Sequence, residues 1–228
     1  VEVKRRHGFE VTERDLAIVR WIGRQRFAEA GQIACRFGMG DRKAYHRLRG
    51  LVGVGLLDRR RILHCEPGAY WAPRAGLSAA DLGLPVAGID IRSYHHDRLA
   101  TDVMIDLEQE FGPGPILTER ELRSRDTTAE SPRYSARLAS DGSGRRGLHF
   151  PDLAVDGSDG RALAVEVELT AKGRRRLEAI VAGYVRARHI AEVRYYVSSS
   201  ARPGLERAIE RAQASALFDL RPLETSRR

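Results

Sequence analysis

Cysteine is almost missing from this chain: Cys35 and Cys65 are the only two in 228 residues, and no CxxC pair exists. A disulfide framework and a zinc finger are thereby excluded, and reduced thiols in a cytoplasmic protein are expected. No apolar run is long enough to span a bilayer, and the first residues lack a signal-peptide core, so neither a membrane nor secretion is expected. No GxxxxGK[ST] stretch cradles a nucleotide, which argues against a nucleotide cofactor, and no GxSxG elbow presents a serine nucleophile. Lysine is scarce too, with only Lys4, Lys43 and Lys172 in a chain full of arginine.

What remains is 42% hydrophobic and 31% charged, the composition of a soluble globular protein of one large or two small domains. The formal net charge is +8, and its distribution is uneven. Residues 1–75 hold 16 Lys and Arg against 8 Asp and Glu, whereas residues 76–228 hold 23 of each. The whole excess lies in the first third, as expected of a basic module that meets an anionic partner, most simply double-stranded DNA.

That third has the helix order for such a module. Thr12 reads as an N-cap before Glu13, Arg14 and Asp15, with Leu16, Val19 and Ile22 at helical spacing. A short second helix follows over Ala28–Phe37, then the turn Gly38-Met39-Gly40. Asp41 is expected to cap a third helix, whose apolar positions Tyr45, Leu48, Leu51 and Val52 alternate with Arg42, Lys43, His46, Arg47 and Arg49. Such a helix enters the major groove by its N-terminal half, so Arg42, Lys43, Tyr45, His46, Arg47 and Arg49 are the candidate DNA contacts. Asp58 to Leu63 and Ala69 to Trp71 read as a two-stranded wing, which adds Arg59, Arg60 and Arg61. The expected organisation is a winged helix-turn-helix over 1–75, a connector over 76–92 and a second domain over 93–228. A homodimer would multiply specificity by engaging two half-sites, although no coiled-coil seam is present.

In the second domain Tyr94 to Phe111 reads as an amphipathic helix stopped by Gly112-Pro113-Gly114-Pro115. A strand near Ile116-Leu117-Thr118 follows. Residues 124–147 are polar and read as a mobile loop. The central stretch runs from His149 to Tyr184, with turn chemistry at Asp156-Gly157-Ser158-Asp159-Gly160 between two strands. Side chains alternate along a strand, so Glu166 and Glu168 share a face, and Asp152 on the first strand can reach it. Three carboxylates that converge need a cation, either Mg2+ held by Asp152, Glu166 and Glu168 or an ammonium such as Lys172. The alternative is an acidic face in water. His149 either lines this site or merely starts a strand. A helix with Leu177, Ile180, Val181 and Tyr184 inward, a strand at Val193–Val197 and a closing helix over Gly204–Ala216 complete a mixed sheet.

Pro151-Asp152 followed by Glu166-x-Glu168 resembles the PD-(D/E)xK nuclease superfamily, with Glu168 where lysine is usual and Lys172 as a migrated substitute. The resemblance implies an α+β protein in which a PD-(D/E)xK-like α/β domain with a mixed central sheet follows the winged helix. It also implies a catalytic set of Asp152, Glu166, Glu168 and Lys172 with Mg2+. A winged helix followed by HFPD and VEVELTAKG, over roughly Thr12 to Ala212, is similar to the replication-relaxation family. That similarity implies a DNA-binding protein of a plasmid or mobile element, acting in replication, mobilisation or regulation, with metal-dependent DNA cleavage as the alternative.

Overall fold

The computed structural model describes residues 9–127, 131–139 and 147–223. The fold is α+β, with eight α-helices and a mixed five-stranded sheet among the described residues. The chain forms two compact units that divide between Ile105 and Asp106.

The first unit begins with α1 (Glu13–Arg24), closed by a capping box in which Thr12 and Asp15 exchange hydrogen bonds. Its inner face carries Ile18, Val19, Trp21 and Ile22, each worth about 1.5–3 kcal/mol when fully buried. A two-residue strand, β1 (Ala28–Glu29), then enters α2 (Ala30–Arg36), and a turn with Gly38 in the left-handed region leads to α3 (Asp41–Gly53). Gly40 rather than Asp41 is the N-cap of α3, which places Asp41 in the first turn. β2 (Asp58–Arg60) and β3 (Ala69–Trp71) pair where a wing was expected, and β3 also pairs with β1, giving an antiparallel sheet of order β1-β3-β2. Sequence reading assigned Ala28 and Glu29 to a helix, because two residues are too few to show a period.

The stretch 76–92 expected to be a connector is partly core. Helix α4 (Arg74–Ala79) runs into it, and Leu77, Ala80 and Leu84 are buried. A Cβ on Gly23 of α1 would meet Leu77 and Leu82, so this segment packs on α1. The division falls instead inside α5 (Tyr94–Phe111), whose bounds match the sequence expectation. Tyr94 stacks on Phe27 with ring centroids 4.6 Å apart and donates a 3.0 Å hydrogen bond to Glu29.

In the second unit β4 (Ile116–Thr118) is followed by α6 (Glu119–Asp126), β5 (Ala136–Arg137), β6 (Leu148–His149), β7 (Leu153–Asp156) and β8 (Ala162–Glu168). Helix α7 (Arg174–Arg186) crosses to β9 (Ile190–Val197), and α8 (Arg202–Arg211) crosses to β10 (Phe218–Pro222). The large sheet has the order β10-β9-β8-β7-β4: the β4-β7-β8 part is antiparallel, and β8, β9 and β10 are mutually parallel through their helical crossovers. The closing helix therefore ends at Arg211, earlier than expected, and the chain adds an edge strand that sequence reading missed.

The polar stretch read as a mobile loop is anchored where it is described. Tyr134, Ser135 and Ala136 are buried, and the Asp126 carboxylate accepts the N–H groups of Arg133, Tyr134 and Ser135 at 2.7–3.0 Å. Residues 128–130 and 140–146 of that stretch lie outside the described residues.

Candidate functional site

Each unit gathers one group of candidate residues. On α3, Ala44, Leu48 and Leu51 turn into the core, which leaves Arg42, Lys43, His46 and Arg49 exposed on the opposite side. Tyr45, expected in the apolar stripe, stands out of it at 48% exposure, while Ala44 takes the inner position. Exposed Arg59, Arg60 and Arg61 follow on and after β2.

Two of the nine candidate DNA contacts already have partners. Arg47 donates through Nε to Asp15 at 2.9 Å, pairs with the second Asp15 oxygen through Nη2, and donates to the Glu10 carbonyl. Its guanidinium also lies 4.4 Å from the Phe9 ring centroid. Asp15 is 1% exposed, so Arg47 neutralises a buried charge and is a fastener rather than a reader of bases. Arg59 lies over Tyr70, 5.6 Å from its ring centroid, and packs against Gly68, where any Cβ would strike the guanidinium. Arg42, Lys43, His46, Arg49, Arg60 and Arg61 are exposed, as is Tyr45.

In the second unit the three carboxylates do come together, but out of water. Glu166 and Glu168 are 3% and 4% exposed, which disposes of a solvated acidic face. They lie on the side of β8 that α7 covers, together with Ala162 and Ala164, and Tyr195 and Val197 are their neighbours on β9. Asp152 stands immediately before β7; its Oδ2 accepts the Val167 N–H at 2.8 Å, and its carbonyl accepts the Glu119 N–H at 2.8 Å. The start of α6 and the C-terminal end of β8 thus fix Asp152 from two sides.

The two glutamates have different surroundings. Burial alone would raise Glu166, yet the charge and hydrogen bonding of His149 and the Tyr184 hydroxyl hold it below the ordinary glutamate value. His149 Nε2 lies 2.7 Å from its Oε1, and Tyr184 donates to the same oxygen. Burial pushes Glu168 up, and although Lys172 pairs with it, the negative charges of Glu166 and Asp152 add to the rise. Tyr184 and Tyr195 are driven well above the ordinary phenol by burial and then by the charge of Glu166.

Sequence reading named Asp152, Glu166, Glu168 and Lys172 but gave Tyr184 and Tyr195 no role at the site. A tyrosine inside an otherwise aliphatic helix stripe was the available signal, because a buried hydroxyl needs a partner. His149, left between two readings, belongs to the site.

Each carboxylate of the expected Mg2+ set has a protein partner in this structure. Glu166 is occupied by His149 and Tyr184, Glu168 by Lys172 and Asp152 by a backbone amide. Among the described residues no group of three or more His, Cys, Asp and Glu side chains is disposed to hold a metal ion. The group is a hydrogen-bonded acidic cluster with one ammonium at its rim.

No family model matches the chain, and no curated protein matches it either. Similar solved structures include ZitR of Lactococcus lactis, wild type in complex with DNA, at 16% identity, TM-score 0.29, and coverage of 47% of this chain and 67% of that one. "PigF with SAH" is 18% identical at TM-score 0.23, covering 92% of this chain and 56% of that one. An O-methyltransferase family protein from Burkholderia thailandensis is 13% identical at TM-score 0.23, covering 93% and 61%. Likenesses this loose carry no functional argument. No helix among the described residues is long and apolar enough to cross a membrane.

Proposed function

We propose that this chain is a DNA-binding protein that reads duplex DNA through α3 and its β2–β3 wing, as a winged helix-turn-helix. The observation that carries the reading is the two-sided character of α3. Its inner stripe of Ala44, Leu48 and Leu51 seats the helix, and its outer side presents Arg42, Lys43, Tyr45, His46 and Arg49 to solvent. Arginine and lysine on such a helix pair with guanine edges or grip phosphates, and the arginines of the wing reach the flanking backbone. The net charge of +8 in residues 1–75 supplies the attraction.

The sequence resemblance to replication-relaxation proteins extends this reading to replication, mobilisation or regulation of a plasmid or mobile element. A homodimer on two half-sites is the assembly that fits such a role.

The test is fluorescence anisotropy of labelled duplex DNA with the full chain across a salt series. Binding should weaken linearly with log salt, by about 0.9 in slope for each phosphate engaged. Arg42→Glu with Lys43→Glu should lower affinity at least about tenfold, the order of one lost bidentate contact. Undiminished affinity in that variant sinks the reading.

One observation favours a second reading, that of a Mg2+-dependent DNA endonuclease. Asp152, Glu166, Glu168 and Lys172 meet at one end of the β7–β8 hairpin. For that activity Glu168 would have to exchange Lys172 for another partner. Supercoiled DNA incubated with Mg2+, Mn2+ or EDTA decides it: nicking that needs the metal and is lost in Asp152→Ala and Glu166→Ala supports cleavage. DNA left intact but bound equally by all three proteins rejects it.

A further inference from the structure

A separate charged feature lies on the far side of Lys172. A cleft of about 250 Å3 opens between the starts of α7 and α8, and Lys172, Arg174, Arg207 and Arg211 line it together with Ser200 and Gly204. Glu178 is the acid that meets these arginines; it takes Arg174 at 2.9 Å and Arg211 at 3.0 Å, so two guanidinium groups share one carboxylate. Arg207 is exposed and makes no ion pair among the described residues.

The charge pattern at the start of α7 is opposite to what that helix itself favours. The first turn of a helix presents unpaired N–H groups and the positive end of its dipole, so acids belong there and cations are disfavoured. Helix α7 opens with Arg174, Arg175 and Arg176 after Gly173, with no acid in the turn and no side-chain cap. Helix α8 has no acid in its first turn, but there the Arg202 N–H is taken by the Ser198 carbonyl and Pro203 has none; its own contribution is Arg207, four residues before Arg211, a repulsive spacing. Glu178 relieves part of this by pairing Arg174 and Arg211, and Arg207 is left exposed. An anion in the cleft offsets the charge at the α7 start and on the Arg207–Arg211 pair, and its oxygens can accept N–H groups of the first turn of α7.

We infer that this cleft binds a phosphodiester of the DNA backbone and holds the strand beside the acidic cluster, which it adjoins through Lys172. The inference rests on the DNA-binding reading and gives the second unit its own contact with the same partner. A phosphate fits the chemistry better than a carboxylate, since its several oxygens can take N–H groups and guanidinium forks together.

The experiment is amide NMR of the full chain, titrated at constant ionic strength with inorganic phosphate and with a short duplex. Both ligands should shift the amides of Gly173, Arg174, Ser200 and Gly204. Arg207→Gln with Arg211→Gln should abolish those shifts while the other amides stay in place, and should reduce the salt slope for duplex binding by about one to two. A duplex that shifts only α3 and wing amides overturns the cleft and leaves the DNA-binding reading intact. A duplex that shifts no amide removes both. Shifts with inorganic phosphate but none with the duplex also overturn the inference, because the site then serves a small anion.

Discussion

Glu168 shows what the acidic cluster asks of a single residue. Its charged form is disfavoured by burial and by the neighbouring carboxylates, and Lys172 does not fully compensate. A carboxyl whose folded value is raised destabilises the fold once pH exceeds its unfolded value, and the full penalty applies above its folded value. Glu168→Gln should therefore stabilise the protein near neutral pH, by roughly 2–4 °C for each kcal/mol gained, and the gain should vanish in acid where Glu168 is protonated anyway. Thermal melts of both proteins from acid to neutral pH check this, and a destabilised glutamine variant at neutral pH would contradict it. Residues that cost stability in their native positions are concentrated at working sites, which is why this outcome bears on function.

At the scale of elements, the presentation of α3 depends on one fastener. Asp15 both closes the capping box of α1 and accepts Arg47 from the middle of α3, so a single carboxylate joins helix start to helix side. Phe9 lies over the same guanidinium and against Gly50, where any Cβ would intrude on its ring. Arg47→Met should lose about 3–5 kcal/mol, since it leaves a buried carboxylate unpaired. Chemical denaturation measures that loss. DNA affinity of the fraction still folded should change far less than in the Arg42→Glu, Lys43→Glu variant, and an equal fall in affinity with unchanged stability would restore Arg47 as a DNA contact.

Elements also differ in how far their sequence announces them. Helix α5 was legible to the residue, because eighteen residues keep one period and Gly112-Pro113 ends it. Strand β1 was not legible, since its two residues become a strand only by pairing with β3. Strand β10 was missed for a related reason: Phe218 to Pro222 is short and ends in proline, and its partner β9 lies more than twenty residues earlier. In the acidic cluster the period-two spacing placed Glu166 and Glu168 together. Nothing local could place Tyr184 against Glu166, because that contact depends on how α7 lies across β8.

For the molecule as a whole, acid should be the weak side of the stability profile. Burial would raise Asp15, but Arg47 and Thr12 hold it below the ordinary aspartate value; burial would raise Asp126 too, but the amides of Arg133, Tyr134 and Ser135 and the Ser135 hydroxyl hold it down. A depressed carboxyl contributes its full stability above the unfolded value, about 3.9, and loses it as pH falls through the folded value. One such aspartate stands in each compact unit, so both units should weaken below about pH 4. Asp15→Asn and Asp126→Asn should each lower the melting temperature at neutral pH and flatten its fall in acid. An acid limb as steep as that of the parent protein in both variants would show that other carboxyls set it.

The outer strand β10 bears on assembly. It pairs with β9 alone, and it finishes at Pro222, which has no N–H to offer a further strand. Its Asp219 and Arg221 are bound to each other and to the Glu110 and Arg194 charges. Such a margin is a poor template for a strand from another molecule. Two copies brought together on DNA would not join their large sheets across this margin.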